Sequence, residues 1–167
     1  FISLWGCSQP TPASPPLEAP EDYVVADDFS PPNMAWGRFD AEQSAVYALA
    51  GELYLEDQGS RAAVSAPLTN YEYAAVTVEV RVRHVQGEVD NWMGVICRQQ
   101  DDDNYYLFGI SADGYYLIVK VEDGTSMPLV EPTFSETIQV GKETNTIQAR
   151  CRGSEFTLWV NDQQVAQ

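Results

Sequence analysis

The sequence predicts an all-β domain of antiparallel strands, and three observations carry that prediction. Past residue 20 the chain consists of short apolar runs with period two, punctuated by Gly, Asp, Asn and Pro. No segment repeats apolar residues at three-and-four spacing over a dozen positions, so no amphipathic helix is expected. Several runs also split by parity into an apolar set and a polar or aromatic set, as a sheet with one buried face requires.

Taken in chain order, strands are expected at 24–29, 46–49, 52–56, 62–65, 74–84, 92–99, 105–111, 115–121, 127–130, 144–151 and 156–160. Asp113-Gly114 is a hairpin turn between two of them. Asp101-Asp102-Asp103-Asn104 turns the preceding strand into that hairpin, giving a three-strand meander, and Asn161-Asp162 offers a turn after the last strand. Val76, Val78, Val80 and Val82 share one face, with Thr77, Glu79, Arg81 and Arg83 on the other. Met93, Val95 and Cys97 oppose Trp92, Gly94, Ile96 and Arg98. Tyr115, Leu117, Val119 and Val121 oppose Tyr116, Ile118 and Lys120, and Ile147, Ala149 and Cys151 oppose Thr146, Gln148, Arg150 and Arg152.

The N-terminus has a different texture. Leu4-Trp5-Gly6-Cys7 resembles a bacterial lipobox, in which the Cys is lipidated and becomes the mature N-terminus; Trp5 is bulkier than the usual occupant of its position. Segment 8–20 holds five of the ten prolines and no apolar periodicity, so it is expected to stay extended as a spacer. The resulting organisation is 1–7 as the end of a lipoprotein signal peptide, 8–22 as a Pro-rich linker and 23–167 as a β-sandwich. The competing reading of Cys7 is an ordinary thiol in a tail. The first residue is Phe1 rather than Met, as expected of a sequence that starts within a longer reading frame.

Length and charge bound the function. The 167 residues suffice for one domain and a tail, and 44% hydrophobic residues allow a packed core. With 25 acidic residues against nine basic ones, the net charge of -16 repels phosphate backbones and anionic headgroups. No nucleic-acid partner is expected, and contact with a membrane is expected only through the lipid anchor.

The segments 94–98 (Gly-Val-Ile-Cys-Arg), 104–110 (Asn-Tyr-Tyr-Leu-Phe-Gly-Ile) and 113–120 (Asp-Gly-Tyr-Tyr-Leu-Ile-Val-Lys) resemble the concanavalin A-like, LamG-like jelly-roll domains of bacterial lipoproteins and exported proteins. Segments 145–153 and 156–161 are similar to the strands that follow in that superfamily, with Asn161-Asp162 in place of the common Asn-Gly turn. The resemblance runs from about Asp27 to the C-terminus and implies an antiparallel jelly-roll sandwich. Related domains continue with closing strands, so the sandwich is expected to be incomplete at Gln167. The superfamily includes lectins, glycosidases and adhesion modules, so it specifies fold better than activity.

Chemistry-bearing residues are few. Cys97 and Cys151 both take core parity, which in an exported protein allows a disulfide closing a loop of about 50 residues; two buried free thiols are the alternative. His84 is the only histidine, and no Gly-x-Ser-x-Gly elbow supplies a nucleophile. Glu88-Val89-Asp90 starts like the Glu-x-Asp-x-x-Glu motif of jelly-roll glucanases, but the second Glu is absent and Gly87 suggests a turn. Asp101 and Asp103 in the acidic turn are candidate Ca²⁺ ligands, with Asp27-Asp28 a second candidate pair; an acidic tip facing water is the alternative. Arg81, Arg83, Arg98 and Lys120, four of the nine basic residues, take non-core parity; Arg81, Arg98 and Lys120 are candidate ligand contacts together with Glu79, Trp92 and Tyr116, and Trp159 is similarly placed on the last expected strand. A flat aromatic surface with planar hydrogen-bonding groups suits sugar recognition. A solvated face with charges paired across strands is the alternative.

The expected function is therefore non-catalytic recognition of a carbohydrate or cell-surface polymer by an envelope lipoprotein or secreted protein. Two rivals stand beside it: a sugar-processing hydrolase of the same superfamily acting through Glu79 or a residue in the absent C-terminus, and a structural or sensor module of the envelope.

Overall fold

The period-two runs fold as strands, and no helix forms among the described residues of this computed structural model, which are 17–18, 24–30, 36–37, 39–41, 43–59, 64–68, 71–73 and 75–167. Cys7 and nearly all of the 8–22 stem lie outside the described residues. The chain forms two compact units, Phe1–Glu72 and Tyr73–Gln167.

The first unit contains β1 (Leu17–Glu18), β2 (Phe39–Ala41), β3 (Ser44–Leu49), β4 (Glu52–Asp57) and β5 (Tyr71–Glu72). β2, β3 and β4 form an antiparallel meander, and β1 pairs parallel to β5. The register sets Tyr47 directly opposite Tyr54, and their rings stack 5.2 Å apart. Tyr47 donates its hydroxyl to Glu56 and Tyr54 donates to Glu52. The hydrogen bond to Glu56 raises the Tyr47 pKa above its ordinary value.

The strand expected at 24–29 does not form. Asp27 Oδ1 accepts the backbone N–H of Phe29 at 2.6 Å, and Asp28 Oδ1 accepts that of Ser30 at 3.0 Å. These carboxylates take donors that a ladder would need, and Phe29 adopts φ 56°. The other oxygen of Asp27 accepts from the Trp36 indole at 2.7 Å, so Asp27 and Asp28, the second candidate Ca²⁺ pair, each hold the local chain. Residues 64 and 65 of the expected strand at 62–65 are irregular, and 62 and 63 lie outside the described residues.

The second unit contains β6 (Ala75–Val82), β7 (Trp92–Asp101), β8 (Asn104–Ser111), β9 (Tyr115–Glu122), β10 (Thr125–Phe134), β11 (Asn145–Arg152), β12 (Glu155–Val160) and β13 (Gln163–Ala166). They build two four-stranded antiparallel sheets, ordered β10-β9-β8-β7 and β13-β12-β11-β6. The first is a continuous meander; the second brings β6 beside β11, across the whole meander in sequence. β13 was not expected from the sequence, and it pairs with β12 through the Asn161-Asp162 turn. Both turn residues have positive φ, 48° and 66°, matching the right-handed twist of a two-residue hairpin.

The sheets pack face to face as a sandwich. Val95, Cys97, Phe108, Ile110 and Ile118 from one sheet meet Ile147, Ala149, Cys151, Leu158 and Val160 from the other, with Val76, Val78, Val80 and Val82 alongside. Each fully buried Val, Leu, Ile or Phe side chain among these contributes about 1.5–3 kcal/mol relative to exposure. Cys97 and Cys151 form a disulfide that joins β7 to β11, and thus sheet to sheet. Gly94 is fixed by a close approach: a Cβ there would stand 1.9 Å from the Phe108 carbonyl oxygen.

β9 reverses the expected parity. Ile118, 2% exposed, faces the core opposite Phe108, and Tyr116 shares its face. Leu117 and Val121, on the opposite parity, are also buried. Both faces of this strand are apolar, so alternation alone could not choose between them. β10 is an edge strand longer than expected, broken by irregularities around Pro128–Val130 and Val130–Thr133. Prolines and bulges of this kind discourage edge-to-edge pairing.

One buried polar cluster ties the end of the second sheet to the preceding loop. Asn145, 1% exposed, accepts from the Gln139 N–H and donates to the Gln139 carbonyl, both at 2.8 Å. Asn161 donates to Asn145 Oδ1 and to the Thr137 carbonyl, and accepts the Thr146 N–H at 2.9 Å. Every amide group in this cluster has a partner, which is what makes its burial tolerable.

Candidate functional site

Strand alternation gives the β6-β11-β12-β13 sheet an apolar inner face and a polar outer one. The register aligns Glu79, Gln148, Trp159 and Gln164 in one row across all four strands. Odd residues of β6 and even residues of β11 face outward, which places Thr77 and Arg150 in the next row and Arg81 and Thr146 in the row on the other side.

Side-chain contacts hold this row in place. Gln148 Nε2 donates to Glu79 Oε2 at 3.0 Å, fixing the amide and leaving carboxylate lone pairs toward solvent. The Arg150 guanidinium lies 5.1 Å from the centre of the Trp159 ring, within cation–π range. A depression of about 210 Å³ opens between Glu79, Thr146, Gln148, Trp159 and Asp162. Asp162 reaches it from the β12–β13 turn, whose geometry depends on the Asn145–Asn161 cluster beneath. The site thus offers one half-buried indole surrounded by two carboxylates, an amide, a hydroxyl and a guanidinium.

The six candidate ligand contacts expected to share a surface are divided by the structure. Glu79 and Arg81 lie on the Trp159 face. Trp92, Arg98, Tyr116 and Lys120 belong to the other sheet and do not share one face of it either. Trp92 points to the outer side and lies across Gly109, where an added Cβ would meet its ring at 3.4 Å. Tyr116 packs against the core. Arg98, at positive φ where β7 bulges, donates to the Gly153 carbonyl and stacks 5.0 Å from the Phe156 ring centre. Its role is to clamp the β7 sheet to the β11–β12 turn. Lys120 pairs with Glu122 at 2.6 Å, and that hydrogen bond raises its pKa.

The acidic turn has a local role as well. Asp101 Oδ1 accepts from the Asp103 N–H and from Asn104 Nδ2, both at 2.9 Å, and Asn104 Oδ1 accepts the Asp123 N–H at 3.1 Å. The hydrogen bonds that Asp101 itself accepts, from the Asn104 amide first and then from the Asp103 N–H, lower its pKa. Asp103 accompanies it as a neighbour of Gly124, whose added Cβ would meet the Asp103 carboxylate at 3.3 Å. Among the described residues no three His, Cys, Asp or Glu side chains converge to hold a metal ion. The segment Glu88-Val89-Asp90 is a turn, closed by Asn91 N–H donating to the Glu88 carbonyl at 3.3 Å.

Sequence reasoning left out Thr146, Gln148, Arg150, Asp162 and Gln164 as site residues. The first three were visible as the outward parity of one strand. What was missing was the pairing of β6 with β11, a contact between residues about seventy positions apart (Glu79 with Gln148). Searched against protein-family models, curated proteins and solved structures, the chain gives no significant match in any of the three.

Proposed function

We propose that the second unit is a non-catalytic carbohydrate-recognition module and that it binds through the outer face of the β6-β11-β12-β13 sheet. The observation that carries this reading is the row Glu79–Gln148–Trp159–Gln164 beside a depression of about 210 Å³. A pyranose presents an apolar C–H face and a rim of hydroxyls. An indole matches the first, and carboxylate and amide groups held at fixed positions match the second. Strands place these groups more rigidly than loops would, which lowers the ordering cost of binding.

On this reading the sandwich is a jelly roll of the concanavalin A-like kind, displayed from the cell envelope or secreted. Support for export comes from the Cys97–Cys151 disulfide, which persists in oxidising compartments, and from the lipobox-like Leu4-Trp5-Gly6-Cys7. Labelled palmitate should enter the full-length protein in a bacterial host, and Cys7→Ser should abolish the label.

Binding is tested on a glycan array with the intact chain and with Trp159→Ala. The expected result is a defined set of positive glycans, all lost in the variant while its circular dichroism matches the parent. Positive glycans that Trp159→Ala still binds at parental affinity would place recognition elsewhere.

A further inference from the structure

The outer face of the β6-β11-β12-β13 sheet lacks the acidic excess of the chain as a whole. The whole sequence carries nine basic residues against 25 acidic ones. The outward residues of this sheet carry Arg81, Arg150 and Arg152 against Glu79 and Glu155, and Asp162 adds a third carboxylate from the β12–β13 turn. The five strand residues are exposed. Among the described residues no ion pair engages any of the three arginines.

Their placement follows from the register. Arg81 sits opposite Thr146, Arg150 between Thr77 and Thr157, and Arg152 between Ala75 and Glu155. At roughly 3.4 Å per residue, the Arg81 row lies about 7 Å to one side of the Trp159 row, with the Arg150 row about 7 Å to the other. Arg152 lies a further two residues along. The aromatic platform is therefore bracketed by guanidinium groups over a span of about 20 Å. Arg150 is also ordered by its stacking on Trp159. Its planar fork stays available for a bidentate contact to a carboxylate or sulfate, the pairing for which guanidinium geometry is best suited.

Resting on the reading of this face as a sugar site, we propose that its ligand is an acidic glycan, a polymer whose sugars carry carboxylate or sulfate groups. Trp159 takes the C–H face of one sugar, while Arg150 and the flanking Arg81 and Arg152 take the anionic groups of that sugar and its neighbours. A net charge of -16 would repel such a polymer from the rest of the surface. On this face the three arginines balance the three carboxylates, so that repulsion is absent here and the guanidinium groups can orient the encounter.

The test uses the intact chain and two matched pairs of probes: polygalacturonate with its methyl ester, and dextran sulfate with dextran. Affinity is measured by calorimetry or biolayer interferometry at low and high sodium chloride. The expected result is at least tenfold tighter binding of an acidic probe than of its neutral partner, a preference that shrinks with salt. Arg81→Gln with Arg152→Gln should reduce the acidic probe's affinity at least tenfold, and Trp159→Ala should reduce it further. Equal affinity for acidic and neutral partners, or a preference unchanged in the double variant, overturns the acidic-ligand proposal and leaves the sugar site standing. Absence of any glycan binding, on these probes and on the array, overturns both.

Discussion

Opening the Cys97–Cys151 disulfide is the perturbation whose size follows most directly from the structure. The bridge joins positions separated by 54 residues and ties the two sheets of the sandwich together. In the chain-entropy account, releasing a loop of that length restores about 14 cal/mol/K to the unfolded ensemble, or about 4 kcal/mol at 25 °C. The unit that melts spans Tyr73–Gln167. At roughly 2.1 cal/mol/K per residue its unfolding entropy is about 200 cal/mol/K, so its Tm should fall by about 20 °C on reduction. Reduction is preferred to Cys→Ala because both sulfurs lie in the core, 4% and 1% exposed, and truncation would add cavity terms. Calorimetry with and without reductant measures the shift. A thiol titration of the unacylated, denatured chain should find one reactive thiol before reduction and three after, since Cys7 is the third cysteine. A Tm change below about 5 °C with a fully oxidised titre would refute the chain-entropy magnitude. A titre of three before reduction would refute the bridge itself.

Three further outcomes are expected. Gly94→Ala should destabilise the second unit by at least about 3 kcal/mol, because the new methyl meets the Phe108 backbone rather than a side chain able to swing aside; urea unfolding would show this as a lower midpoint. Asn145→Ala should cost about 2–4 kcal/mol by leaving the Gln139 N–H and carbonyl and one Asn161 donor unpaired, and the amide exchange of Gln139 should accelerate with it. The Asp101 carboxyl, held below the ordinary 3.8 chiefly by Asn104, should titrate late in a carbon-detected NMR series. Because its folded pKa is depressed, its contribution to the β7–β8 hairpin is present above pH 3.8 and is lost as the pH falls through the lower folded value. Asn104→Ala should move the Asp101 midpoint up toward 3.8, and an unmoved midpoint would dissociate the shift from that hydrogen bond.

Most strands of the second unit were legible because one face of each is apolar and the other is not. β6 and β11 show this most plainly: Val76 to Val82 alternate with charged and polar residues, as do Ile147, Ala149 and Cys151. The disulfide was legible for the same reason, since Cys97 and Cys151 both fall on the apolar parity. β9 was legible as a strand but not in its orientation, because Leu117 and Ile118 are both buried and no polar face marks the outside. β13 escaped notice because Gln163-Gln164-Val165-Ala166 carries little apolar signal; the positive φ of Asn161 and Asp162 folds it back onto β12. The strand expected at 24–29 failed where Asp27 and Asp28 captured backbone donors, a local competition that apolar pattern alone does not register.

The candidate site shows where parity stops being informative. Parity names the residues that point outward from each strand, and it named Glu79, Arg81, Trp92, Arg98, Tyr116, Lys120 and Trp159 on that basis. It does not say which strands are neighbours. Arg98 and Lys120 belong to the meander that runs between β6 and β11 in sequence but packs on the opposite side of the core. Grouping by shared parity therefore gathered side chains that the sandwich holds apart. The row that does assemble joins β6 to β11, β12 and β13, so Trp159 gains Glu79 as a cross-sheet neighbour through pairings made by Gln148. The proposed recognition on this face would thus depend on the β6–β11 pairing. A substitution that unpairs those strands should abolish binding even with every outward side chain retained, whereas the same loss of stability confined to the β9–β10 edge should leave binding intact.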